Sequence, residues 1–206
     1  MKVNHTIRTL ITSDFLINAG FSVFAPVFAI FITKQIAGGT IETVGFAAAI
    51  AQIVKSFVQI PVARYLDRSH GEYDDCYSMV TGSALVACVP WMYLFADTSW
   101  HIYGIQVIFG LGNALAVPPW YAIFTRHIDK LQENIEWSLE SVALGISGAG
   151  AAALSGIIAS HFGFAWVFVF GGLFAIMGAS LQVKIYKDLR AHVRRGQVAP
   201  APDPSL

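Results

Sequence analysis

Charge is scarce in this sequence. Only 13% of its 206 residues are Asp, Glu, Lys or Arg, whereas 55% are hydrophobic, and the mean hydropathy is +0.59. A typical soluble domain carries about 25% charged residues. The composition therefore excludes an ordinary soluble domain and predicts a protein that lies in a lipid bilayer.

Residues that support catalysis or bind metals are also few. The two cysteines, Cys76 and Cys88, lie in one predicted helix. At about 1.5 Å per residue they are roughly 18 Å apart, which is too far for a disulfide. Five of the six histidines lie at chain ends and in loops without the spacing of metal ligands, and no glycine-rich phosphate-binding loop is present. We therefore expect no metal, cofactor or nucleic-acid partner, and no nucleotide-driven pump.

Six long apolar runs dominate the chain. A helix that spans a bilayer needs about 20 mostly apolar residues. The first run contains Asp14 and is followed by no small-residue cleavage site, so we expect a retained helix rather than a signal peptide. The sequence thus predicts an all-α membrane protein in which residues 1–188 form a bundle of six transmembrane helices. The predicted spans lie near residues 11–33, 41–63, 76–96, 99–122, 137–160 and 164–186.

Basic residues are distributed unevenly between the two sides of the predicted bundle. Eleven of the thirteen fall on one side, Lys34 falls on the other, and Lys55 lies within a span. Because cytoplasmic segments collect Lys and Arg, both chain ends should be cytoplasmic and the protein should lie in the cell (inner) membrane. So uneven a distribution also argues against insertion in both orientations. Residues 189–206 are basic and then proline-rich, which predicts a disordered cytoplasmic tail.

The segment between the second and third predicted helices reads RYLDRSHG, residues 64–71. It is similar to the signature G-x-L-A-D-R-x-G-R-K of the major facilitator superfamily of membrane transporters. The Asp-Arg pair, Asp67 and Arg68, matches. Ala63 replaces the first glycine of the signature, and acidic residues follow Gly71 where the family has basic ones.

Two further motifs strengthen the resemblance. The segment QVIFGLGNA, residues 106–114, resembles the family pattern R-x-x-x-G-x-G-A-A, and FGFAWVF, residues 162–168, resembles F-G-W-R-W-x-F. The resemblance covers residues 9–188 and is to one half of a transporter, since the usual chain of the family has twelve helices. It implies half of the major facilitator fold. It also implies a symmetric parallel homodimer that works by alternating access.

The resemblance gives the charged segment a role as a gate. In the family, the signature Asp lies close to the start of a helix in the opposite half, where exposed N–H groups favour negative charge. In a homodimer that helix would be the partner's fifth, beginning near residues 136–138. Asp67 would then latch the cytoplasmic side, held by Arg64 or Arg68. The alternative is a polar turn of the kind that any two-helix hairpin needs.

Ionisable residues within spans are costly and indicate functional sites. Three are present: Asp14, Lys55 and Glu140. The family's geometry favours a pair between Lys55 and Glu140 of the partner subunit, and a pair within one subunit is the alternative. Asp14 and Glu140 are also candidate proton carriers, with Lys55 as the competing charge.

Polar and small residues complete the predicted site. The first and fourth helices line the family's cavity, and amides with aromatics would suit a small neutral or amphipathic solute. The fifth helix carries a stripe of small residues that predicts a close dimer contact, with packing inside the subunit as the alternative. The further cavity candidates are Asn18, Ser22, Gln52, Gln59, Gln106, Asn113, Trp120 and Tyr121, and the stripe comprises Ser141, Gly145, Gly148, Ala152 and Gly156.

Two functions other than transport are alternatives for this sequence. Gly145–Gly148 has the G-x-S-G form of intramembrane rhomboid proteases, but His161 lies on the same helix, about 21 Å away, so we expect no enzyme. A membrane scaffold, or a subunit that pairs with a different half-chain, remains as the alternative. Three ionisable residues within the membrane are hard to explain in an inert scaffold.

Overall fold

Helices form nearly all of the chain that the structure describes, which is residues 3–69 and 71–194 of a computed structural model. Within these ranges no β-strand is present, apart from one isolated bridge between Ala37 and Thr98. The helical segments are α1 His5–Ser22, α2 Ala25–Gln35, α3 Ile41–Ser69, α4 Glu72–Tyr93, α5 Ser99–His127, α6 Glu133–Phe162 and α7 Phe164–Arg194.

The first predicted span is broken into two helices. Helix α1 ends at Ser22 and α2 begins at Ala25, with Pro26 in the first turn of α2. Proline lacks an N–H and its ring clashes with the carbonyl four residues earlier, so a helix cannot run unperturbed through this position. Because α1 and α2 together make one span, the described chain forms six membrane helices, and the predicted all-α, six-helix fold is confirmed.

Five of the six spans are long and apolar enough to cross a membrane by themselves. The exception is α4, in which eleven residues are buried, including Ser78 and Ser83. Neighbouring helices surround α4, so it can carry hydroxyl groups that a lipid-facing helix would expose to hydrocarbon.

The helices extend beyond the predicted spans at the charged end of the bundle. Helix α3 continues to Ser69 and α4 begins at Glu72, so most of the expected loop over residues 64–75 is helical. Acidic residues in the first turn of α4 favour this start, because they oppose the positive end of the helix dipole. Helix α7 runs to Arg194, so residues 189–194 of the predicted tail are helical, and residues 195–206 lie outside the described chain.

Glycines bring two pairs of helices into backbone contact. A Cβ added at Gly20 of α1 would lie 2.6 Å from the carbonyl oxygen of Gly171 in α7. One added at Gly82 of α4 would lie 2.5 Å from the carbonyl oxygen of Gly112 in α5. Small residues permit such close approach, which in a bilayer replaces the hydrophobic effect as a source of helix association.

A proline in α5 is compensated by its neighbour α4. Pro119 has no N–H to bond the carbonyl of Leu115, one turn earlier. The Ser78 hydroxyl donates to that carbonyl oxygen at 2.8 Å. This bond fixes α4 against α5 next to Trp120, where a cavity opens.

The outer positions of the bundle belong to α3 and α6. Helix α3 packs mainly on α5, and α6 packs mainly on α1. Helices α4 and α7 pack against each other, α4 also packs on α5, and α7 also packs on α1. Only 11% of the most apolar stretch of α3 and of α6 is buried, against 39% in the other apolar spans. Large apolar side chains such as Phe57 and Ile146 are therefore exposed on these two helices.

Candidate substrate site

Two open cavities are both lined by residues of α1 and α5. One is bordered by α6 and has a volume of about 330 Å³, and the other is bordered by α3 and has a volume of about 440 Å³. Asn113 lines both. We call the first the acidic cavity; its polar and aromatic lining includes Asp14, Trp120, Tyr121, Trp137, Glu140 and Gln182. We call the second the basic cavity; its polar and aromatic lining includes Gln52, Lys55, Tyr93, Gln106, Phe21 and Phe109.

Two carboxyl groups face each other in the acidic cavity. Asp14 of α1 and Glu140 of α6 lie within hydrogen-bonding reach, and Glu140 is only 4% exposed. Neither oxygen of Glu140 has a hydrogen-bond donor among the described protein groups. Such a pair can bond only by holding one proton between the two groups. No Lys or Arg is among the lining residues.

Aromatic rings form one wall of the acidic cavity. The ring centroids of Trp120 and Tyr121 are 5.2 Å apart, and those of Tyr121 and Trp137 are 6.0 Å apart. The Trp120 ring also stacks on Phe124 at 4.9 Å. This packing fixes the orientation of the rings beside the carboxyl pair.

In the basic cavity, the buried polar side chains of Gln106 and Tyr93 form a hydrogen bond with each other. The Gln106 side chain donates from Nε2 to the Tyr93 hydroxyl at 3.1 Å, and both residues are buried. Phenylalanines of α1, α2 and α5 pack around them, for example Phe21 and Phe109 with centroids 5.1 Å apart. Lys55 is half-buried, and within the described chain it makes no ion pair with Asp14 or Glu140.

Three of the predicted cavity residues, Asn18, Ser22 and Gln59, line neither of the two cavities. Asn18 donates to the Leu144 carbonyl at 3.0 Å and to the Ser147 hydroxyl at 2.7 Å, so it joins α1 to α6. Ser22 lies against Gly148 in the same contact. Gln59 is half-buried on α3 and lines neither cavity.

The gate residues lie at the end of a helix rather than in a loop. Arg64, Asp67 and Arg68 occupy the last turns of α3, and all three are exposed. The first turn of α6, the expected partner of Asp67 in the other subunit, contains Glu133 and Glu136. Glu136 is buried and accepts a hydrogen bond from the Asp129 N–H, whereas Glu133 is exposed. An approaching carboxylate would meet the like charge of Glu133, so this end of α6 suits an arginine better than an aspartate.

Two of the acidic residues that replace the basic end of the family signature pair within the protomer. Asp75 forms an ion pair with Arg126 of α5, and Glu72 Oε1 lies 3.1 Å from His127 Nδ1. These contacts tie the beginning of α4 to the end of α5. The departure from the family signature therefore has a local packing role.

The predicted small-residue stripe of α6 divides into free and occupied positions. Ser141, Gly145 and Gly156 are exposed, and a Cβ added at either glycine would have no neighbour within 4 Å. Gly148 lies against Asn18 and Ser22, and Ala152 is half-buried. The stripe therefore packs within the protomer at Gly148 and leaves a free surface at Ser141, Gly145 and Gly156.

Sequence reasoning missed Gln182 and Trp137. Gln182 of α7 is 2% exposed, and its Oε1 has no hydrogen-bond partner among the described groups. An amide within an apolar span is a signal of the same kind as the three charged residues, although a weaker one. Trp137 lies near the beginning of α6, where a tryptophan is also typical of the membrane interface, and it lines the acidic cavity.

The protease-like segment does not assemble a catalytic group. Ser147 is 4% exposed, donates to the Leu144 carbonyl at 3.0 Å and accepts from Asn18. Its hydroxyl therefore serves the contact between α1 and α6. Among residues 3–69 and 71–194, no group of three His, Cys, Asp or Glu side chains is arranged to hold a metal ion.

Charged and amide side chains that line open cavities between membrane-spanning helices are typical of membrane transporters. The sequence model of the Major Facilitator Superfamily matches residues 10–202. The chain therefore belongs to this superfamily and is a multi-pass membrane transporter protein with the six helices of one half of the fold. No curated protein and no solved structure gives a significant match.

Proposed function

We propose that the protein transports a small organic solute as a parallel symmetric homodimer, each protomer supplying one half of the transporter. The observation that carries this proposal is the placement of Asp14, Lys55 and Glu140 in open cavities that are bordered by α3 and α6, the two least buried spans. Lipid could cover the apolar parts of α3 and α6, but facing a charged group to hydrocarbon costs several kcal/mol. A second bundle would enclose both cavities.

Transport in such a dimer proceeds by alternating access. The two bundles rock about the enclosed cavities, which open to one side of the membrane at a time. The uneven distribution of basic residues supports a protein in the cell membrane with both chain ends cytoplasmic.

The solute gradient or a proton gradient would supply the energy. The carboxyl pair of Asp14 and Glu140 is suited to gain and lose one proton, because the two groups lie within bonding reach of each other. Lys55 of the partner subunit would be the competing cation. A transport rate that is independent of pH would remove the proton-coupled version.

The cytoplasmic gate is best formed by arginine. We assign Arg64, with Arg68 beside it, to the acidic first turn of the partner's α6, and Asp67 to holding these arginines in place. Exchanging Asp67 for Asn should then weaken the gate less than exchanging Arg64 for Gln. Equal losses of transport would favour the family-type latch through Asp67.

Native mass spectrometry of the full chain, released from nanodiscs, tests the dimer. We expect a species of about twice the 22.3 kDa protomer mass. Gly145→Leu should split it, whereas Gly104→Leu should not. Both glycines are exposed with no neighbour within 4 Å of an added Cβ, but Gly104 lies on α5 beside residues of α4, away from the proposed seam.

Other masses would favour other functions. A 22.3 kDa protomer that still transports solute would contradict the homodimer. A complex with a second polypeptide would support the heterodimeric half-transporter. A protein that binds no solute and supports no flux in liposomes would support a membrane scaffold.

A further inference from the structure

We propose that the acidic cavity binds an organic cation, a substituted ammonium ion that carries an apolar group. This inference rests on the proposed function, in that it names the class of solute that the transporter would carry. Its test is binding to the purified chain, which does not require flux or a dimer.

Oxygen acceptors without donors surround the cavity. Glu140 contributes two oxygens and Gln182 contributes Oε1, and none of the three has a hydrogen-bond partner among the described groups. Both side chains are more than nine-tenths buried, and both line the cavity. Asp14 adds a second carboxyl group beside Glu140. Buried acceptors are costly when unpaired, so a bound cation with N–H or polarised C–H groups would offset that cost.

The aromatic wall selects among cations. The ring centroids of Trp120, Tyr121 and Trp137 lie 5.2–6.3 Å apart, so the rings pack against one another as one wall, and a cation that lies against this wall is close to more than one ring. A substituted ammonium ion within about 6 Å of such rings is attracted by their π-electrons and loses little hydration. A small inorganic cation would lose a strong hydration shell against the same surface.

The size of the cavity also fits an organic ligand. Its volume of about 330 Å³ lies in the range of small-molecule sites, about 300–1,000 Å³. The sequence had suggested a single cavity lined by amides and aromatics, suited to a neutral or amphipathic solute. The structure separates the carboxyl pair from Lys55, and this separation changes the expected solute to an amphipathic cation.

The experiment uses benzyltrimethylammonium as the probe and neopentylbenzene, which has carbon in place of the charged nitrogen, as its uncharged equivalent. Binding to the full chain in detergent is followed by tryptophan fluorescence and by isothermal titration calorimetry. We expect saturable binding of the cation and none of the uncharged compound. Glu140→Gln and Asp14→Asn should each weaken binding at least tenfold, and Trp137→Leu should weaken it severalfold.

A matched variant controls for charge alone. Glu42→Gln removes one carboxylate from the exposed first turn of α3, on a helix that does not border the acidic cavity, and should leave binding unchanged. Each variant must elute as the unmodified chain does, and having two carboxyl variants guards against one that fails to fold.

Several results would overturn the inference. These are equal binding of the two compounds, equal loss in Glu42→Gln and Glu140→Gln, or displacement of the probe by millimolar sodium, which would assign the cavity to an inorganic ion. Binding without flux in liposomes would support the cation site and contradict the proposed transport. Flux of another solute without cation binding would support transport and contradict the cation site.

Discussion

The acidic and basic cavities share Asn113, yet they are built differently. In the basic cavity the buried amide of Gln106 is bonded to Tyr93, whereas in the acidic cavity Glu140 and Gln182 lack partners. The charges are also opposite, with Lys55 in one and the carboxyl pair in the other. Among the described lining residues, the acidic cavity therefore has carboxyl groups and no cation, and the basic cavity has a cation and no carboxyl group.

In the proposed dimer, a two-fold axis along the membrane normal would place the acidic cavity of one subunit opposite the basic cavity of its partner. The two cavities are bordered by α3 and α6, the helices that would face each other across the proposed dimer. Lys55 of one subunit would then lie opposite Glu140 of the partner subunit. An organic cation that entered the acidic cavity would then compete with that lysine, and one chain would supply both the site and its competing charge.

The largest effect is expected from reversing the charge of the basic cavity. Lys55→Glu would place a third carboxylate opposite Asp14 and Glu140, and like charges that meet at an interface cost several kcal/mol. We expect transport of the cation to fall about 100-fold or more, since each 1.4 kcal/mol is tenfold in rate. The flux of labelled benzyltrimethylammonium into proteoliposomes measures this.

The exchanged pair tests whether the two cavities meet. The double variant Lys55→Glu with Glu140→Lys should recover dimer formation and part of the flux, because attraction across the seam is restored. The single variant Lys55→Gln should keep the dimer and tighten binding of the probe, because the competing charge is removed. If the double variant is no better than the worse single one, the two residues are not opposite each other.

An intermediate effect is expected where the cavities differ in packing. A Cβ at Gly110, in the wall of the basic cavity, would lie 2.7 Å from the Ala51 carbonyl oxygen and 2.9 Å from Val54 Cβ. Gly110→Ala must push α3 from α5, and such overpacking costs about 1–3 kcal/mol. Gly145→Ala has free space and gains about 0.5–1 kcal/mol from the lower backbone entropy of alanine.

Thermal unfolding in one detergent, followed by tryptophan fluorescence, compares the two alanine variants. Gly110→Ala should melt below the unmodified protein and Gly145→Ala at or above it. A lower melting temperature for Gly145→Ala would mean that this part of the α6 stripe is already packed, either within the protomer or against the partner subunit. The contrast between tight packing at Gly110 and free space at Gly145 would then be wrong.

The fold could be predicted because its signals are local and strong. Apolar runs of sufficient length give six helices, and the basic residues fall on one side of them, with no need for tertiary information. The break before Pro26 was missed because the apolar run continues through it, although proline in the middle of a span was the available signal.

The site could be predicted only in part, because spacing along one helix does not fix what that helix faces. Asp14, Asn18 and Ser22 share a side of α1, but α6 covers Asn18 and Ser22 and leaves Asp14 at the cavity. Gln182 comes from α7, far along the chain, and only packing brings it beside Glu140. Whether polar residues form one cavity or two is decided by contacts between helices, which the sequence alone does not specify.

The smallest effects should come from the single polar groups that distinguish the cavities. Tyr93→Phe removes the bond to Gln106, and hydrogen bonds between membrane helices contribute about 0.6 kcal/mol on average.

Gln182→Met removes an oxygen that has no partner, at nearly constant volume, so stability should stay equal or rise slightly. The same substitution should weaken binding of benzyltrimethylammonium, because the amide oxygen is available to the ligand rather than to the protein. Melting temperatures and probe titrations on both variants separate these roles. A destabilised Gln182→Met with unchanged probe affinity would show that Gln182 is a structural residue, and would reduce the acidic cavity to its carboxyl pair and its rings.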